Sequence, residues 1–183
     1  KYAMLKRHKG EILLKEFGQR AIPPGLIESG DIKKKKELTD FLKTFRRELG
    51  NNHVTVILPE EKAYLSRITA PLMKKSEIRG SLELQLEENI PLSAAEAIFD
   101  YDVSRDKDHL DINLIAFSSN VVNDYRDVFC DAGFNPISFE MEAHSLARAL
   151  MLIDKKDDEV KMIIDFGKTH ISFIVISDNK VRF

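Results

Sequence analysis

The residues with the most capacity for chemistry stand near the end of the chain, in Asp165-Phe166-Gly167-Lys168-Thr169. Apolar runs at 160–164 and 171–177 flank them, so the segment reads as the turn of a β-hairpin. A glycine in such a turn lets backbone amides approach a phosphate, and an aspartate can hold magnesium through water. Asp and Gly also suit tight hairpins that bind nothing, so both readings stand on these residues alone. Other candidates are thinner. Glu140, Glu142 and His144 alternate, but they fall where a strand gives way to a helix, which argues against a shared metal geometry. His8, His53, His109 and His170 show no ligand spacing. Asp100 and Asp102 share one face of a strand and read as an exposed sheet surface. No HExxH, CxxC, GxSxG or GxxxxGK[ST] occurs.

Composition narrows the function classes. Lys and Arg total 28 against 30 Asp and Glu, a net charge of -2, so no global field draws the chain to nucleic acid or an anionic surface. A hydrophobic content of 43% is that of a globular protein and excludes wholesale disorder. Cys130 is the single cysteine, which leaves no intramolecular disulfide and fits a reducing compartment. Phe129 and Ala132 beside it predict an inert thiol packed in a helix. No apolar run reaches the ~20 residues that span a bilayer, and no signal peptide is visible. A cytoplasmic location is the expectation.

The element around which the chain is arranged is 64–117. Tyr64 to Ala70 alternates with period two and reads as a strand. Ser76 is a candidate N-cap with Glu77 placed for the helix dipole. Ile78, Leu82, Leu86 and Ile90 then form a stripe every four residues, with Leu84 off it, until Pro91 ends the helix. Two strands, 97–103 and 110–117, complete a strand-helix-strand-strand module. Before it come a hairpin of two strands around Lys9-Gly10, an irregular Ile22-Pro-Pro-Gly-Leu-Ile27, and the basic run 33–36. That run opposes a helix dipole and predicts a loosely helical start. Leu38, Phe41, Leu42, Phe45 and Leu49 mark an amphipathic helix stopped by Gly50. The apolar run 53–58 predicts a strand buried on both faces. After the module a helix runs to Gly133, followed by a strand at 136–141, a helix at 143–153, and a charged linker at 155–159. Both termini fall in mid-sheet, so a piece cut from a longer protein is expected.

The order of these pieces resembles a known family. Ile163-Ile-Asp-Phe-Gly-Lys-Thr169 resembles the second phosphate loop of actin-like ATPases. Ile137-Ser-Phe-Glu-Met-Glu-Ala-His-Ser-Leu-Ala-Arg-Ala-Leu150 is similar to the strand and helix ahead of that loop in the type IV pilus assembly protein PilM family. Leu86-Glu-Glu-Asn-Ile-Pro-Leu92 with the strand from Ala97 to Tyr101 is similar to a further family segment, as is Ile22-Pro-Pro-Gly-Leu-Ile27. The resemblance implies a mixed α+β and α/β chain with a partial actin-like, ribonuclease H-like fold. Subdomain 1A would comprise 1–58 and 134–154, with the inserted strand-helix-strand-strand module (1C, SHS2) at 59–133. Residues 155–183 would open subdomain 2A.

It also implies a function: a cytoplasmic adaptor at the inner-membrane face that binds the N-terminal peptide of a PilN-like partner and meets pilus motor and platform proteins. Asp165, Gly167 and Thr169 would be phosphate-loop positions in a full-length parent that binds ATP and magnesium. No cofactor is expected for this chain itself, nor useful ATP affinity. The peptide groove is expected between subdomains 1A and 1C, with Pro59, Tyr64, Arg67 and Ala70 on one wall. An FtsA-like division protein, or an active ATPase or sugar kinase of the same superfold, is the alternative.

Overall fold

The computed structural model describes residues 1–150, 159–167, 171–177 and 180–182. Strands β1 (Tyr2–His8) and β2 (Glu11–Gly18) form the expected hairpin, with both loop residues, Lys9 and Gly10, at positive φ (49° and 90°). That geometry matches the right-handed twist of the strands. Two-residue strands β3 (Ile27–Glu28) and β4 (Asp31–Ile32) follow the irregular proline segment.

Helix α1 (Lys35–Leu49) starts inside the basic run and is regular over 15 residues, not loosely helical. The repulsion expected there is offset from other elements: Lys35 Nζ is 2.6 Å from the Asp124 carboxylate and Lys33 is 3.3 Å from Asp31. Gly50 ends the helix in the left-handed region (φ 63°), its N–H donating to Arg46 O.

Strand β5 (His53–Leu58) pairs in parallel with β9 (Asn135–Met141). The expectation of two buried faces is not met. Val56 and Leu58 are buried with Phe117, Tyr125 and Met141, whereas Ile57 on the opposite face is 43% exposed. Among the described residues helices cover one side of this pair only, so β5 alternates.

Between β5 and β9 lies the module. A one-turn helix at Glu60–Lys62 leads into β6 (Ala63–Pro71), then α2 (Lys75–Leu84), α3 (Leu86–Asn89), β7 (Ala97–Arg105) and β8 (His109–Ser118). The sheet is antiparallel in the order β6-β8-β7. The helical stripe is as the spacing implies: Ile78, Leu82, Leu86 and Ile90 are all buried against Ile68, Phe99, Ile112 and Leu114. The helix starts just before Ser76, where the Glu77 carboxylate accepts the Lys74 N–H at 3.1 Å. It is broken once, at Gln85, whose carbonyl accepts from Asn89 Nδ2 at 2.8 Å.

Helix α4 (Ser119–Asp131) returns the chain to β9, with Gly133 at φ 85° as its stop. Its inward stripe is Tyr125, Val128 and Ala132. Cys130 lies off that stripe and is exposed, a correction to the packed thiol expected from its neighbours. Helix α5 (Glu142–Leu150) then packs on an antiparallel sheet of β10 (Lys161–Phe166), β11 (Ile171–Ser177) and β12 (Lys180–Val181). Ala143, Ile174 and Ile176 form that core.

Candidate functional site

The crossover from β5 to β6 is tied down at both ends. Gly30 (φ 75°) sits so close that a Cβ there would stand 3.0 Å from Pro59 Cβ and Lys62 Cγ. Lys62 pairs with Asp31 at 2.7 Å. Glu60 Oε1 accepts the Ala143 N–H at 2.7 Å and so caps the start of α5. The crossover therefore fixes where β6 begins relative to α5.

Strand β6 pairs with β8 over nine residues, from Ala63↔Phe117 to Pro71↔His109. It is an edge strand, and among the described residues its other side has no backbone partner. Such an edge is a template for a further strand. The period of two divides the expected groove residues. Tyr64 and Ala70 point toward the helix face, where Ala70 is 6% exposed inside the core and Tyr64 packs against it. Arg67 is on the open face, its guanidinium 3.1 Å from Asp111. Pro59 belongs to the crossover. These four residues do not form one wall.

The open face offers a strip that sequence reasoning did not select. Leu65 is 53% exposed, lies opposite Ile115 on β8, and continues toward Ile98, which is 45% exposed on β7. The signal was available, since Leu65 and Arg67 alternate with the inward Tyr64, Ile68 and Ala70.

A cleft of about 1490 Å³ lies elsewhere, along Lys1 and Tyr2 to Leu5 of β1 and His53 to Leu58 of β5, lined also by Pro59, Glu60, Ser145 and Arg148. Consecutive residues of both strands line it, so backbone edges face the space rather than one side-chain face. Tyr64, Arg67 and Ala70 are not among its lining.

Asp165 stands opposite Ser172 and Phe166 opposite Ile171, so both belong to strand β10 and not to the turn expected at 165–169. Asp165 is half-buried at the end of β10 and Gly167 is exposed just beyond it. A carboxylate and a glycine amide at a strand end suit a phosphate with its magnesium. Thr169, with Lys168 and His170, lies outside the described residues.

His144, in the first turn of α5, has a buried Nδ1 with no hydrogen-bond partner among the described residues. Burial holds its imidazole below the ordinary value, opposed by the carboxylates of Asp102, Glu140 and Glu60. A depressed value means the neutral form is the one that fits the fold. The stability it contributes is present above the unfolded value of about 6.5 and is lost as pH falls through the folded value. Denaturant midpoints of the wild type and His144→Gln, compared between pH 5 and 8, are expected to show a steeper acid loss in the wild type. Parallel curves would contradict the burial described here. Glu140 is engaged by Arg148 and Ser145, and among the described residues no group of three or more ligands is placed to hold a metal.

The whole sequence, residues 1–183, matches the family described as type IV pilus assembly protein PilM. The chain belongs to the PilM family. Among solved structures it is similar to a PilM-PilN type IV pilus biogenesis complex, with a TM-score of 0.84 and 19% identity, over 98% of this chain and 55% of that one. It is also similar to the cytoplasmic domain of EpsL, an inner membrane component of the type II secretion system of Vibrio cholerae. There the TM-score is 0.54 with 15% identity, over 92% of this chain and 61% of that one. The chain thus spans little more than half the length of these PilM-type and EpsL chains. No curated protein matches. At these identities the likeness shows fold, and the expected partial actin-like fold is the one found. Among the described residues no helix is long and apolar enough to cross a membrane.

Proposed function

We propose that this chain carries the partner-binding part of a type IV pilus adaptor, and that it grips an extended N-terminal peptide of a PilN-like membrane partner along β6. The observation that carries the reading is the nine-residue β6, paired on one side only among the described residues, with the exposed Leu65 beside the half-buried Ile115. A peptide added there gains main-chain hydrogen bonds from the edge and side-chain burial from the strip. That a solved relative is a PilM-PilN complex supports the same partner class. The parallel pairing of β5 with β9, on either side of the insertion, supports a division into a 1A layer, a 1C module at 59–133, and the start of 2A. In the full-length protein Asp165, Gly167 and Thr169 would serve ATP and its magnesium. The adaptor would sit at the cytoplasmic face of the inner membrane through its partner, within reach of motor and platform proteins.

Calorimetry with a synthetic peptide of the partner's cytoplasmic N-terminus tests this. Binding near micromolar is expected, about -8 kcal/mol. Leu65→Glu and Arg67→Glu change exposed side chains of β6 and should weaken binding at least tenfold with the fold intact. Wild-type affinity in both variants would rule out this face.

A further inference from the structure

Helix α5 and the β10–β12 sheet on which it packs are tied at two points to segments distant in sequence. Glu60, immediately before β6, holds the first turn of α5 through the Ala143 N–H. Val103 on β7, the far edge of the module's sheet, accepts a bond from Lys180 Nζ of β12 at 2.7 Å. Asp102, beside Val103, is one of the carboxylates acting on His144. On its other side α5 packs through Ala143 and Ala147 onto Ile174, Ile176 and Val181 of the β10–β12 sheet. One short helix thus touches the approach to β6 and the sheet that carries Asp165, and the same sheet reaches back to the module through Lys180.

The joint is also incompletely satisfied. His144 Nδ1 is buried, and among the described residues nothing bonds to it. A buried polar atom without a partner marks a place that can gain from rearrangement. Packed interfaces shift between discrete arrangements, which is how small displacements become larger ones.

We propose that the first turn of α5, together with the Lys180–Val103 bond, is a joint that transmits occupancy of the β6 edge to the hairpin bearing Asp165 and Gly167. This rests on β6 being the peptide edge. A peptide pairing with β6 adds a strand to the three-stranded sheet and adjusts its twist. The far edge, β7, then moves against Lys180, and the crossover moves against Glu60 and α5. The hairpin sheet follows because it is bonded at one point and packed at another.

The test is methyl and amide NMR on the whole 183-residue chain, titrated with a synthetic peptide of the partner's cytoplasmic N-terminus, in the wild type and in Lys180→Met. In the wild type, shifts are expected on β6 and also at the methyls of Ile163, Ile174 and Ile176. In Lys180→Met the β6 shifts should persist, while those at the three isoleucines fall by at least half. Shifts confined to β6 in the wild type, or unchanged at the isoleucines in the variant, overturn the joint and leave the peptide site standing. Absence of any β6 shift overturns the peptide site. Hydrogen exchange without peptide then decides the joint by itself. Faster exchange in both β7 and β10 of Lys180→Met supports it, and unchanged exchange in β10 overturns it.

Discussion

Leu82→Ala and Leu86→Ala are each expected to lower the unfolding free energy by about 2–5 kcal/mol, whereas Leu84→Ala should change it by well under 1 kcal/mol. Leu82 and Leu86 are 2% and 0% exposed and fill the space between the helical segment and β8, against Ile112 and Leu114. Truncation there removes buried methylenes and leaves a cavity that close-packed neighbours fill only in part. Leu84 is 88% exposed on the opposite side of the helix. Its removal costs almost no burial, and alanine is the better helix former. Urea unfolding followed by circular dichroism measures all three. A larger loss for Leu84→Ala than for Leu82→Ala would contradict the helical phase on which the module is built.

The second large effect is expected at Gly133. Its φ of 85° is a conformation that costs an L side chain about 1–2 kcal/mol. A Cβ there would also stand 3.0 Å from Arg46 Nε, which donates to Ala132 O at 3.1 Å and ties α1 to the end of α4. Gly133→Ala should therefore pay backbone strain and displace that bond, for a total of about 2–3 kcal/mol. Gly50→Ala is the internal control. Its φ of 63° is also left-handed, but nothing stands within 4 Å of a Cβ at that position. It should pay the strain alone. Equal destabilisation of the two variants would show that the Arg46 contact contributes nothing.

Local periodicity was enough to read most of the fold. The stripe from Ile78 to Ile90, the alternation in β6, and the glycines that stop α1 and α4 are set by the chain's own geometry. Features that depend on what lies across a gap were not readable in the same way. The run 53–58 is apolar throughout, yet sequence does not state how many layers cover it, and only one face of β5 is packed. Cys130 has apolar neighbours in sequence, but a helix buries by angle rather than adjacency. The regular start of α1 depends on Asp124, 89 residues away from Lys35. The candidate site was half legible. The strand at 64–70 was readable from its alternation. Tyr64 and Arg67, however, are three apart and so must face opposite sides of a strand, which leaves Leu65 and Arg67 as the outward pair.

Everything functional in this reading turns on β6 accepting a strand. The direct measurement is an NMR titration of the assigned, folded chain with the partner-derived peptide, followed by intermolecular NOEs. The expected result is a continuous set of amide shifts along Ala63–Pro71, with NOEs from peptide Hα and amide protons to that strand and contacts to the Leu65 methyls. A folded sample that shows no shifts on Ala63–Pro71, or shifts confined to the cleft between β1 and β5, contradicts it.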